Sequence, residues 1–163
     1  MGMSASFTPL SQEEYFSVKA MLSDRVSDDQ WDDFFELLEK YEENSIDTGK
    51  AWGMIHAWLN KGKSEPLCVT TASMAIAGFE TLNEEDGFYA GIPANELAPI
   101  VDALRVHDIS VLSSVIPTLD SEKTYGVTGH KDDIDYAIEN FKPLKSFYEA
   151  CVKNNQSIII EIS

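Results

Sequence analysis

Basic residues are scarce in this chain: 12 Lys and Arg stand against 28 Asp and Glu, for a formal net charge of -16 over 163 residues. Recognition of a polyanion depends on cations that displace its counterions, so direct nucleic-acid binding is not expected. Cysteine is rarer still. Cys68 and Cys151 lie far apart in sequence, which fits reduced thiols and not a disulfide framework. Leu67 and Val69 flank Cys68 and mark it as a buried, inert thiol. The three histidines, His56, His107 and His130, share no metal-ligand spacing, so neither a metal site nor a cofactor is expected. Long apolar runs are missing as well. Residues 67–78 are too few and too rich in Thr, Ser and Ala to cross a bilayer. The first residues, Met1 to Phe7, carry no basic leader or long apolar segment, so a cytoplasmic protein without a membrane partner is expected.

What remains is an ordinary globular composition, 44% hydrophobic, on a chain long enough to bury a single core. Its organising stretch is residues 46–60, read as a buried central helix over about 48–60. Met54, Trp58, Ala51, Ile55, Leu59 and Trp52 cover a broad apolar arc, while Gly53 and Ala57 let a second neighbour approach closely. If Trp52 is central, its replacement by Ala should cost about 3–5 kcal/mol. His56 falls at the edge of the arc. With Asp47, Lys50 and Trp52 it makes a candidate pocket for a small polar substrate, although no nucleophile, base and orienting group can be named from spacing. An enzyme is therefore the alternative and not the expectation. Gly49-Lys50 lacks the upstream glycine and following hydroxyl of a phosphate loop.

The remaining elements follow from periodicity. A first strand over 4–10 precedes a helix opened by the capping box Ser11 and Glu14. Ser27 caps a second helix expected over 28–43, whose apolar arc holds Trp31, Phe34, Phe35, Leu38 and Tyr41. Its other face carries Asp29, Asp32, Asp33, Glu36, Glu39 and Glu43. Like charges one turn apart there each cost about 0.2–0.5 kcal/mol, so helix stability does not ask for this arrangement. Phe88–Ile92 reads as a strand, 95–105 and 108–114 as helices, and 117–129 as a surface loop and lid candidate. From His130 helical spacing continues, with a kink or a new start expected at Pro143, and Asp132, Asp133 and Asp135 are read as acids capping its opening turn. The run Ser157-Ile158-Ile159-Ile160-Glu161-Ile162 reads as a strand buried on both faces.

Several of these landmarks together resemble a bacterial family of unknown function, the YfbM-like proteins. They are an N-terminal Met1-Gly2-Met3 strand, Asp47-Thr48-Gly49-Lys50-Ala51-Trp52 continuing to Ile55-His56-Ala57-Trp58-Leu59, Gly87-Phe88-Tyr89 with Asn95-Glu96-Leu97, and Phe147-Tyr148-Glu149-Ala150 before the last strand. Gly49 stands where the family usually has a second Asp, and Ile55 where it often has Leu. The resemblance implies a single α+β domain: a mixed β-sheet containing the N- and C-terminal strands, the central helix and peripheral helices. It implies no activity. Acidity and size suggest by analogy an immunity protein, a non-enzymatic binder that occludes the basic cleft of a toxin domain. Its partner-binding residues would be the six acids of the second helix, with Tyr41 beside them slowing dissociation.

Overall fold

The computed structural model describes residues 2–23, 25–63, 70–85 and 87–163. Cys68 lies outside the described residues. The chain folds as one α+β domain around a five-stranded sheet of order β2-β1-β5-β4-β3. These strands are β1 (Ala5–Leu10), β2 (Ile46–Asp47), β3 (Glu80–Asn83), β4 (Phe88–Ile92) and β5 (Ser157–Ile162). The sheet is antiparallel throughout and not mixed. Ile92, where β4 ends, pairs with Ile158, near where β5 begins, so the long connection between them leaves and re-enters the sheet at the same end. Return to the same end makes the two strands antiparallel. The first strand, expected over 4–10, runs from Ala5 to Leu10, so the Met1-Gly2-Met3 segment of the family resemblance precedes it.

Side chains along β1, β4 and β5 alternate between two cores. Ala5, Phe7, Ala90, Ile92, Ile158 and Ile160 face the larger one, and Leu10, Tyr89 and Ile159 the smaller. Both faces of β5 are buried, as its unbroken apolar run foretells. Against the smaller core pack α1 (Gln12–Leu22), opened by its expected capping box of Ser11 and Glu14, and α2 (Asp28–Glu39), where the expected cap Ser27 forms a capping box with Gln30.

The larger core is covered by α3 (Trp52–Leu59), the single turn α4 (Met74–Ala77), α5 (Leu97–Arg105), the single turn α6 (Leu112–Val115) and α7 (Asp132–Lys153). α3 is central: every residue from Gly53 to Leu59 is buried. A 3-10 turn, Gly49–Ala51, precedes it. No new helix starts at Pro143, because α7 runs through it. Pro143 faces solvent, where the carbonyl it leaves unbonded can take water, while Phe141, Leu144, Phe147 and Tyr148 anchor the inner face. No side chain caps the start of α7; Asp133, expected to cap it, instead reaches back to the preceding turn and accepts from the backbone N–H of Thr128 and Gly129 and from the Thr128 hydroxyl. No strand forms near Tyr125, and no helix of the described residues is long and apolar enough to cross a membrane.

Candidate functional site

The structure separates the sequence-derived candidates into two places. The first is α2. Asp29, Asp32, Asp33, Glu36 and Glu39 are all exposed along it, and no ion pair among the described residues touches them. Glu43 is exposed too, but it has left the helix, which ends at Glu39 and gives way to a 3-10 turn, Glu42–Asn44. The last turn of α2 holds no cation to balance the helix dipole. Just beyond it the Tyr41 hydroxyl donates to the Glu14 carboxylate. That bond draws the chain back onto α1, holds the Glu14 carboxyl below its ordinary range and pushes the Tyr41 hydroxyl up to about 12.

Tyr41 is therefore half-buried and committed within the fold, and not the free aromatic expected beside the acids. Phe35 takes that place. It was expected on the buried arc, yet it is 42% exposed and stacks on Trp31 with ring centroids 5.7 Å apart. The contact face of α2 is narrower than its apolar arc, since Phe34 alone is fully enclosed. Phe35 borders a groove of about 510 Å³ between α2 and the β1 side of the sheet, together with Leu38, Glu39, Glu42, Glu161 and Thr8. Glu42 and Glu161 carry no local sequence signal for this role, because only the packing of α2 across the sheet brings them together.

The second place is a cleft of about 520 Å³ at one end of the sheet. Trp52 and His56, one helical turn apart on α3, form one wall. Ile76 and Ala77 of α4 and Gly87 and Phe88 at the start of β4 form others, and Ile162 and Met3 close it. Asp47 and Lys50 do not join them. Asp47 accepts from the Gly49 N–H in the turn before the helix, and Lys50, whose N–H donates to the Tyr136 hydroxyl, extends beside Gly2. Both precede α3, so they miss the face that Trp52 and His56 share. Among the described residues, the expected polar substrate pocket is thus a largely apolar cleft whose polar side chains are those of His56 and Ser163. Trp52 is half-buried, its indole N–H donating to the Met3 carbonyl at 3.2 Å and its ring stacked on Tyr125 at 5.1 Å. Met3, Ile76 and Ile162 escape sequence reasoning because they meet only in the fold.

Among the described residues, no group of three His, Cys, Asp or Glu is placed to hold a metal ion. Burial pushes the Cys151 thiol up to about 12, which makes it unreactive at neutral pH.

No curated protein matches the chain. Among solved structures it is similar to a protein of unknown function, YfbM from Escherichia coli, at 18% identity and a TM-score of 0.69 over 98% of this chain and 99% of that one. That likeness establishes the shared fold. A domain of unknown function, DUF1877, matches residues 1–161, and the chain therefore belongs to that family of YfbM-like proteins.

Proposed function

We propose that the protein is a non-enzymatic, cytoplasmic binding protein that neutralises a basic protein partner, as an immunity protein does a toxin domain, through the exposed face of α2. The observation that carries this reading is the pairing of unneutralised acids with an exposed aromatic groove. Asp29, Asp32, Asp33 and Glu36 run along the helix, and Phe35, Glu39 and Glu42 lie beside a hollow into which a Lys or Arg stem can lie. Carboxylates attract the cation, and an aromatic face adds about 0.5–1 kcal/mol at an exposed site. A rigid row of carboxylates also mimics the phosphates that a basic nuclease cleft is built to hold. Repulsion along the row works against the helix, so helix stability does not account for it.

The test replaces Asp32, Asp33 and Glu36 by Asn, Asn and Gln and measures capture of the neighbouring gene's product across a salt series. The variant should associate at least about tenfold more slowly at low salt, with a shallower salt slope. An unchanged rate constant and slope would show that the acids only solvate the surface.

A further inference from the structure

A second, chemically opposite site lies away from α2. We propose that the cleft between α3, α4 and the end of the sheet binds a small, flat, largely apolar molecule. This goes beyond the partner-binding reading and does not depend on it. The volume of about 520 Å³ falls within the range of about 300–1,000 Å³ that small-molecule sites occupy. Its walls come from α3, α4, β4, β5 and the segment before β1, so the fold itself shapes the hollow. Trp52 and Phe88 supply flat aromatic surface, and Ile76, Ala77 and Ile162 supply aliphatic surface. Polarity is confined to a few points. Among the described residues the polar side chains on the wall are Ser163 and His56, which is 4% exposed and already has a partner, and the Trp52 indole N–H is engaged by Met3. An apolar body therefore matches the walls. A charged or multiply hydroxylated ligand would lose hydration without recovering it.

Ala77 and Met3 allow the cleft to be filled without dismantling the core. Ala77 is a small wall residue, and Met3, at 43% exposure, stands at the margin. The experiment titrates the full chain with N-phenyl-1-naphthylamine, whose emission rises in apolar surroundings. Methyl NMR of Met3, Ile76, Ile162 and, as a control at the α2 groove, Leu38 locates the probe. Expected are saturable one-to-one binding, shifts at the first three methyl sites but not at Leu38, and at least tenfold weaker binding in Ala77→Leu and in Met3→Trp. Should Ala77→Leu fail to fold, Met3→Trp decides alone. Absence of saturable binding up to the probe's solubility, unchanged affinity in Met3→Trp, or shifts confined to Leu38 would overturn the proposal. So would sedimentation showing that a second copy of the chain occupies the cleft. None of these results tests the carboxylates of α2.

Discussion

Trp58 and Trp52 share α3 but not an environment. Trp58 is 6% exposed and packs edge-on against Phe141 at 4.9 Å and His107 at 5.3 Å, inside the larger core. Trp52 leans on Tyr125 and borders the cleft. Trp58→Ala should therefore cost about 3–5 kcal/mol. The Trp52→Ala loss should be smaller, about 1–3 kcal/mol, because less surface returns to water. Urea unfolding of the two variants checks the order, and a larger loss at Trp52 would reverse the assignment. Periodicity placed both residues on the buried arc of the helix, but it could not rank them. That ranking depends on which neighbours arrive, and Tyr125 and Phe141 are distant in sequence. Phe35 illustrates the same point from the other side: its spacing on the wheel is apolar, and its exposure follows from how little of α2 the sheet covers.

Contact between α3 and the 117–129 loop decides how that loop behaves. Expected as a lid, the loop is instead clamped. A Cβ on Gly53 would lie 2.2 Å from the Tyr125 carbonyl oxygen, and one on Gly126, at φ +83, 2.1 Å from the Lys50 carbonyl oxygen. Backbone meets backbone at both points, which only glycine permits. Gly53→Ala, harmless to an isolated helix, should destabilise the protein by about 1–3 kcal/mol through overpacking, and near-UV circular dichroism should show the Trp52 and Tyr125 stack disturbed. A variant as stable as wild type would mean that the loop yields freely. The small residues of the central helix thus announced a close neighbour, although the sequence named no partner for them. The Ser11 and Glu14 box and the Ser27 cap made the starts of α1 and α2 legible for a local reason, since a cap and the N–H groups it serves lie within one turn. β2 and β3 left no such trace. Ile46–Asp47 and Glu80–Asn83 are short and partly polar, and they become strands by pairing with β1 and β4. Of the candidate sites, the acidic face was readable because charge on a helix repeats locally, whereas the apolar cleft is assembled from five distant segments.

Across the whole molecule, the sheet divides one helical layer, α1 and α2, from all the others. That layer is fastened by two carboxylates. Tyr41 donates to Glu14, and Glu80 receives Lys19 at 2.6 Å and the Tyr15 hydroxyl at 2.7 Å. For Glu14 the Tyr41 bond lowers the carboxyl's pKa most. For Glu80 burial pushes the pKa up, and the bonds from Lys19 and Tyr15 outweigh it, so both carboxyls end below the ordinary 4.5. Native pKa values below the unfolded ones mean stability that is present above pH 4.5 and lost as the pH falls through the native values. The Tyr41 shift has the opposite sense: its contribution is whole below pH 10 and disappears as the pH rises toward about 12. Denaturant melts of wild type and Tyr41→Phe should therefore differ most near neutrality and converge at both extremes. A constant difference at every pH would remove the Glu14 pairing from the account, and the comparison cancels the general relief of repulsion that acid brings to a chain of net charge -16.

The sheet order also has a consequence for how the protein is made. β5 follows every other strand in sequence yet lies between β1 and β4. Until it has left the ribosome, the nascent chain holds two separate hairpin-like fragments, β1 with β2 and β3 with β4, each presenting an unpaired apolar edge. Insertion of β5 must then join both fragments and close both cores in one event, through pairings of long sequence separation. Such pairings form slowly, and the interval before they form is when this chain depends most on chaperones and on its own negative charge to stay apart from its copies.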